Sequence, residues 1–504
     1  MDNYKHSVAL DQDKCTGCTT CLKHCPTEAI RIRGGHAVIN SSRCIDCGQC
    51  IRMCPHSAKK PVSGKIEAVN NYKWSIALPA PSLYGQFEAL EDVDYVLSGL
   101  KQIGFDDVFE VAEAAEFVSA YTRIYLKNDM VRKPVISSAC PTVIRLIGMR
   151  FPSLKDHIMP LLPPVEIAAM MARRKAREEH PELGDEDIGI FFISPCPAKV
   201  SYVINGLPGR KSYVDEVIAI SDVYFMLLNV MKRGSEPEQL LNSGKIGVGW
   251  ASTGGESSAI FNDKYLAADG IENVIRVLDQ IETGNMPQLE FIELNACPAG
   301  CVGGVMTVEN PYIAQARLLT LKRYLPVSQN VISDDRYIPD DFLMSELPSY
   351  QPITRLSSNL GESIRLMADI QRIREQLPGI DCGACGAPTC RAFAEDIFPD
   401  KFVQVICACL LLPPSHVMCL LSLHPQEQSF KFLCPGMFIC IFANTLKLPE
   451  EMSSTQGVSY VGEIPVRFPA IMHCNTRRIA DYSVVIDPVL PTFFMNSLIR
   501  VIDR

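Results

Sequence analysis

The sequence lacks the features of several large protein classes. No Walker-type phosphate loop and no Gly-x-Gly-x-x-Gly after a predicted strand is present, so we expect no nucleotide site. Residues 1–14 are polar and carry charges of both signs, which predicts that there is no secretory signal peptide. The formal net charge is -9, which disfavours a nucleic acid as partner. These absences predict a cytoplasmic enzyme without a nucleic-acid or membrane partner.

Cysteine, in contrast, is abundant. Of the 504 residues, 21 are cysteines. A chain of this length is enough for about two to four domains. Every cysteine before residue 400 lies in one of the motifs described below, whereas six follow residue 406. In a reducing compartment, clustered cysteines indicate metal or iron–sulfur ligands rather than disulfides.

Near the amino terminus, eight cysteines form two copies of one motif. The spacing Cys-x2-Cys-x2-Cys-x3-Cys-Pro occurs at residues 15–26 and again at residues 44–55. This is the pattern of bacterial two-cluster ferredoxins, in which the fourth cysteine of each run binds the other cluster. One predicted 4Fe–4S cluster has the ligands Cys15, Cys18, Cys21 and Cys54. The second has the ligands Cys44, Cys47, Cys50 and Cys25. Zinc is the less favoured alternative as the bound metal. Between the two motifs, residues 29–40 are predicted to form a hairpin around Gly34 and Gly35.

Four more cysteines belong to a predicted α/β body. Each of the following comes after an apolar, β-like run: Cys140, Cys196, and the pair Cys297 and Cys301. A disulfide within the short loop of the pair would be strained, so two thiolates directed at one iron–sulfur cluster explain its spacing better. In open α/β sheets, ligands bind at the carboxyl ends of strands, where these cysteines are expected. Residues 245–251 are predicted to form a further strand.

Three segments of this body resemble, in order, the three signatures of the FeFe-hydrogenase H-cluster domain. They are Ser138-Ala139-Cys140-Pro141, Pro195-Cys196-Pro197-Ala198-Lys199 and Glu293…Ala296-Cys297-x3-Cys301-x-Gly-Gly. The turns Ala80-Pro81-Ser82 and Thr253-Gly254-Gly255 are also similar to family turns, and the resemblance extends over residues 74–326.

The resemblance implies an H-cluster. The four cysteines would bind its 4Fe–4S part, and Cys301 would also bridge to a two-iron centre that carries CO and cyanide. Lys199, the candidate catalytic side chain, would donate a charge-assisted hydrogen bond to a cyanide nitrogen. The alternative for Lys199 is a solvated surface lysine.

A third cysteine motif lies towards the carboxyl terminus. Cys382-x2-Cys385-x4-Cys390, followed by Cys407, resembles the additional 4Fe–4S motif of sensory FeFe-hydrogenase relatives and corrinoid iron–sulfur proteins. We predict these four cysteines as ligands, although Cys409 competes with Cys407 for the fourth position. An amphipathic helix is predicted before the motif, over residues 359–375.

The predicted chain has five parts. They are an α+β ferredoxin-like domain with two 4Fe–4S clusters (residues 1–60), an α/β two-lobed H-cluster domain (72–326), a linker (327–357), the additional 4Fe–4S motif region (358–407) and an atypical tail (408–504). The tail has seven acidic and seven basic residues and no clear periodicity. We interpret it as frame-shifted or disordered; a divergent C-terminal domain is the alternative.

Departures from the family pattern decide the predicted function. Fast hydrogen-producing members carry a cysteine at the position of Ala139, as proton donor to the distal iron, and losing general acid catalysis typically costs about 10²–10⁴-fold. Ser194 and Tyr202 replace a methionine and an acidic residue of those members. The resemblance therefore implies a slow, sensory hydrogenase that interconverts H2 with protons and electrons. It also implies hydrogenase maturation proteins and an unidentified redox or signalling partner. The alternatives are a Narf-like iron–sulfur assembly or scaffold protein and an electron-transfer protein without the two-iron centre.

Overall fold

A computed structural model describes residues 4–128, 130–207, 209–231, 236–332, 337–351 and 359–397, and the backbone of six short strands after residue 404. The chain divides into two compact units, Met1–Ile441 and Phe442–Arg504. Cys407 and nearly all of the tail predicted as frame-shifted or disordered lie outside the described residues.

The amino-terminal part consists of two small antiparallel ribbons and two short helices. Its strands are β1 (Val8–Leu10), β2 (Ile30–Arg33), β3 (His36–Ile39) and β4 (Lys59–Pro61), and its helices are α1 (Thr20–Lys23) and α2 (Gln49–Arg52). Strand β1 pairs with β4, and β2 pairs with β3 in the predicted hairpin. Gly34 and Gly35 form its turn with φ of 56° and 81°, a left-handed conformation that glycine adopts without steric cost.

The central part contains two parallel sheets. Their strands are β5 (Trp74–Pro79), β6 (Asp107–Val108), β7 (Val135–Ile136), β8 (Ile188–Ser194), β9 (Glu216–Ala219), β10 (Tyr265–Asp269) and β11 (Phe291–Asn295). One sheet has the order β6–β5–β8–β9, and the other has the order β10–β11–β7. All seven residues of β8 are buried, as expected for a parallel strand covered on both faces. The predicted α/β architecture with parallel sheets is confirmed.

Helices cover both sheets. They are α3 (Asp94–Gln102), α4 (Val111–Leu126), α5 (Pro141–Arg150), α6 (Pro164–Glu179), α7 (Pro197–Asn205), α8 (Ile220–Met231), α9 (Lys245–Gly249), α10 (Gly255–Ser258), α11 (Ile271–Glu282) and α12 (Pro311–Lys322). Short 3₁₀ turns occur at Ser41–Arg43, Ile66–Asn71, Pro81–Gln86, Pro152–His157, Asp185–Asp187, Cys301–Gly303 and Asp340–Phe342. Among the residues that the structure describes, no helix is long and apolar enough to cross a membrane.

The strand predicted over residues 245–251 is wrong, because this segment forms helix α9. Its alternating apolar pattern resembles a strand, but its glycines serve close packing instead. A Cβ on Gly247 would collide with the carbonyl oxygen of Ala112 in α4. The glycine therefore lets the two helix backbones approach closely, a tertiary contact that periodicity does not reveal.

After the central part, the chain packs back onto it before two more helices. Phe342 is buried, Leu343 forms a β-bridge with Leu161, and the Gln351 amide donates to the Gly148 carbonyl oxygen at 2.9 Å. Helices α13 (Leu360–Gln376) and α14 (Cys390–Ile397) follow. The remaining strands are β12 (Val405–Ile406), β13 (Leu420–Leu423), β14 (Ser429–Cys434), β15 (Met437–Phe442), β16 (Ser483–Ile486) and β17 (Ile499–Ile502).

Candidate functional site

The carboxyl ends of three strands deliver the cysteines of the central site. Strand β7 leads to Cys140, β8 leads to Cys196, and β11 leads to Cys297 and Cys301. Strands β7 and β11 belong to one sheet and β8 to the other, so two sheets contribute. Cys140 and Cys196 each precede a helix that begins with proline, the residue whose missing N–H costs nothing at that position.

The four thiols of these cysteines lie together in a buried centre. Burial and, to a smaller extent, the neighbouring Cys140 raise the pKa of Cys297 and of Cys301 to about 12, and the positive charge of Arg52 partly opposes the shift at Cys297. Burial also raises the pKa of Cys196, with contributions from Cys297 and Cys140. By accessible surface, Cys301 is exposed, whereas Cys140, Cys196 and Cys297 are partly exposed.

Glycines let the backbone wrap closely around this centre. A Cβ on Gly304 would collide with the Pro195 carbonyl oxygen, and a Cβ on Gly303 would collide with that of Pro298. Gly300 has a φ of 89°, a left-handed conformation that L side chains rarely adopt. The loop after β11 therefore needs glycine at these positions.

Lys199 points inward from helix α7. Its Nζ donates a hydrogen bond to the carbonyl oxygen of Ala139 at 3.0 Å, rather than extending into solvent. Burial lowers its pKa, and the nearby Cys301 and Cys196 oppose that shift. Its ammonium therefore lies beside the cysteines and the backbone of Ala139.

Two buried carboxylates lie next to this centre: Glu256, which no sequence motif indicates, and Glu293, which begins the third signature and for which the sequence predicts no role. The hydroxyl of Ser137 donates to both oxygens of Glu256, at 2.8 and 2.7 Å. Glu293 accepts hydrogen bonds from the backbone amides of Gly254 and Ser257 at 3.0 and 2.8 Å. Burial, and then repulsion from Glu293, raises the pKa of Glu256 well above its usual range. Mutual repulsion disfavours the state in which both carboxylates are ionised, so the pair favours holding a proton.

The amino-terminal cysteines form two interleaved groups. One concave site is lined by Cys15, Cys18, Cys21 and Cys54. The Cys44, Cys47 and Cys50 thiols lie near one another, and Cys25 lies near Cys47 and Cys50. In the described part of the chain, no three His, Cys, Asp or Glu side chains are arranged to hold a single metal ion. The residues fit iron–sulfur clusters, which are held by cysteine thiolates around a larger core.

The second of these groups adjoins the central site. Cys47 is close enough to Cys297 for the charge of one to affect the pKa of the other. Arg52 donates to the carbonyl oxygen of Gly303 at 3.0 Å. Asp46, which is buried, accepts a hydrogen bond from Ser201 of α7 at 2.8 Å. The two sites are thus joined by direct side-chain contacts.

The carboxyl-terminal cysteines lie against the amino-terminal hairpin. Cys382, Cys385 and Cys390 line a second concave site, whereas Cys407 is outside the described residues. The Gly386 carbonyl oxygen accepts a hydrogen bond from the Ile32 amide at 2.9 Å. Asp396 accepts from Arg31 at 2.6 Å and from Arg33 at 2.7 Å, and we call this arrangement the Asp396 clasp.

Fold and cysteine arrangement define an iron–sulfur protein. Three comparisons with known families refine that class. Residues 73–305 match the family "Iron only hydrogenase large subunit, C-terminal domain", residues 7–55 match "4Fe-4S dicluster domain", and residues 377–401 match "Putative Fe-S cluster". The protein is FeFe-hydrogenase-like, and its cofactors are iron–sulfur clusters that include the H-cluster.

The chain is also similar to individual known proteins. The chain is 27% identical over 379 residues to the periplasmic [Fe] hydrogenase large subunit of Nitratidesulfovibrio vulgaris, covering 59% of this chain and 86% of the relative. It is 32% identical over 85 residues to a cytosolic Fe–S cluster assembly factor of Drosophila willistoni, covering 16% of this chain and 18% of that protein. A solved FeFe-hydrogenase structure from Chlamydomonas reinhardtii has 15% identity and a TM-score of 0.43, covering 57% of this chain and 97% of that one.

Gly304→Ala tests the glycine-lined loop. The added Cβ would displace the Pro195 carbonyl and with it the Cys196 thiol, so we expect a loss of about four iron atoms per chain. Iron analysis after anaerobic reconstitution measures this. Gly249→Ala is the matched control, because its Cβ would meet its nearest atom at an ordinary 3.5 Å. Equal iron contents in the two variants would contradict the expectation.

Asp396→Ala tests the clasp between the third cysteine motif and the hairpin. Removing the carboxylate leaves two guanidinium groups without this partner, so the contact should weaken by about 1–3 kcal/mol. The Ile32 amide, bonded to Gly386, should then exchange its hydrogen faster. Asp369→Ala is the control, because Asp369 pairs within its own helix with Arg372. Unchanged exchange of Ile32 would show that the clasp contributes nothing.

Proposed function

We propose that this protein is a slow, sensory FeFe-hydrogenase that converts H2 into two protons and two electrons, and the reverse. The observation that carries the proposal is the convergence of three strand ends, which brings four thiols and the Lys199 ammonium to one buried centre. The order of these residues is that of the three family signatures. H2 is the proposed substrate, and the compartment we propose is the cytoplasm.

Cys140, Cys196, Cys297 and Cys301 are the proposed ligands of the H-cluster. When bound, this group supplies redox-active iron at which H2 and protons are interconverted. The chain supplies four thiolates from three strand ends. Lys199 adds a positive charge beside Cys301 and donates hydrogen bonds from a fixed position on α7. It would hold the anionic side of the cofactor in place.

Proton transfer is the proposed slow step. Ala139 has no ionisable group, so we assign the proton-holding role to the buried carboxylates Glu256 and Glu293. Ser137 lies between them and Ala139: its hydroxyl donates to Glu256, and its oxygen accepts from the Ala139 amide at 3.2 Å. This pair would store a proton but lacks a final donor at residue 139.

Electrons would leave through the two amino-terminal clusters. The first step would lead from the Cys297 side of the centre to the cluster bound by Cys44, Cys47, Cys50 and Cys25. The next cluster would be bound by Cys15, Cys18, Cys21 and Cys54. The site at Cys382, Cys385 and Cys390, held on the hairpin by the Asp396 clasp, would extend this chain towards a redox or signalling partner.

Infrared spectroscopy tests this function. The full chain would be produced anaerobically with hydrogenase maturation proteins and measured before and after exposure to H2. We expect bands of metal-bound CO and cyanide that shift under H2. Absence of these bands, with 4Fe–4S clusters intact and a hydrogenase control matured in parallel, would favour the alternative function. That alternative is an iron–sulfur assembly or scaffold protein, which the match to assembly factors over 85 residues supports.

Ala139→Cys tests the missing proton donor. A thiol at this position should restore general acid catalysis and raise the rate of H2 production by about 10²-fold or more. The measurement is H2 evolution with a chemical reductant at fixed cluster content. Ala139→Ser is the control of similar size, because its hydroxyl is a far weaker acid. Equal rates in the Cys variant and the parent would show that proton delivery to this position is not limiting.

A further inference from the structure

A buried lysine, Lys59, lies beside the first group of amino-terminal cysteines. Lys59 begins strand β4, which pairs with β1 so that Lys59 is opposite Leu10. Because side chains alternate across a strand, Lys59 points inward and Lys60 points outward. Lys59 is only 3% exposed, and its buried Nζ has no hydrogen-bond partner among the described residues.

The Lys59 side chain lines the concave site formed by Cys15, Cys18, Cys21 and Cys54. Burial raises the pKa of the Cys21 thiol to about 11 and that of Cys50 to about 12, and the nearby positive charge of Lys59 opposes both shifts. At Cys54, against the effect of burial, backbone hydrogen bonds and the Lys59 charge lower the thiol pKa. Lys59 is therefore close to both groups, but the concave site that it lines is the first.

A buried ammonium without a partner is expensive, because it loses hydration and gains no compensating charge. The neighbouring carboxylate of Asp11 is 3.4 Å from the Nζ of Lys60, on the outer side of the strand. A 4Fe–4S cluster held by four thiolates has a net negative charge, which increases by one on reduction. Such a cluster would supply the opposite charge that the chain does not provide.

We propose that Lys59 is a positioning residue for the cluster at Cys15, Cys18, Cys21 and Cys54, and that its ammonium raises the reduction potential of this cluster. A fixed positive charge stabilises the more negative, reduced form, and hydrogen bonds to cluster sulfur act in the same direction. The inference deepens the proposed function and rests on its electron chain. Electrons released at the central site would collect at the outer of the two amino-terminal clusters.

The test compares Lys59→Met with Lys60→Met in the full chain. Both variants remove one positive charge from the same strand, but Lys60 has a side chain that is 56% exposed and pairs with Asp11. Each protein is reconstituted anaerobically with iron and sulfide, without the two-iron centre, and titrated with redox mediators under electron paramagnetic resonance. We expect one 4Fe–4S signal of Lys59→Met to move to lower potential. Lys60→Met should match the parent.

Full iron content in Lys59→Met with unchanged potentials would overturn the proposal. If Lys59→Met instead loses iron, Lys59→Arg and Lys59→Gln decide between charge and packing. Retention of iron in Lys59→Arg together with its loss in Lys59→Gln would support the role of the charge. Loss of iron in both variants would overturn it. Retention of iron in both variants, with equal cluster reduction potentials, would also overturn it. The titration involves no H2, so a protein without hydrogenase activity would still give the expected shift in potential. Failure of the proposed role of Lys59 is therefore distinguishable from failure of the proposed function.

Discussion

The burial of cysteine thiols is the constraint on which the rest of this structure depends. A thiol surrounded by protein is a poor acid, yet only its thiolate binds iron. The fold therefore has to bring several thiols together and surround them with groups that tolerate negative charge. Close backbone approach at Gly303 and Gly304 and the inward direction of Lys199 serve this purpose at the central site. Each cysteine depends on residues from distant parts of the chain.

Structural features that depend on the spacing of nearby residues could be predicted from the sequence. The cysteine motifs, the hairpin around Gly34 and Gly35, and the parallel strands could be predicted because each depends on neighbouring residues. The apolar pattern of residues 245–251 predicts a strand, whereas the segment forms helix α9. Gly247 is needed there because the backbone of α4 lies too close for a side chain, and a distant contact of this kind leaves no periodic pattern. Glu256 carries no recognisable spacing, and its hydrogen bond with Ser137, 119 residues away in the sequence, exists only in the folded chain. The pattern of a single sequence does not indicate which polar groups pair over long distances along the chain.

The central site and its neighbours combine two physical environments. At the centre, carboxylates and thiols are buried with few positive charges, which favours the retention of protons. Towards the amino-terminal part, Arg52 and Asp46 make direct contacts with residues of the central part. The carboxylates of Glu256 and Glu293 and the contacts of Arg52 and Asp46 thus involve different residues around the central site.

The hydrogen bond between Asp46 and Ser201 has a consequence for how such proteins diversify. Asp46 belongs to the second cysteine motif, and Ser201 is on the helix that follows Cys196 and carries Lys199. The buried hydroxyl of Ser7 also bonds to Ser201, so three segments share one polar network. Replacing the amino-terminal part with an unrelated electron-transfer module would leave these groups without partners inside the protein. The amino-terminal part and the central part therefore cannot be exchanged independently of each other. Recombination between relatives should keep the two parts together.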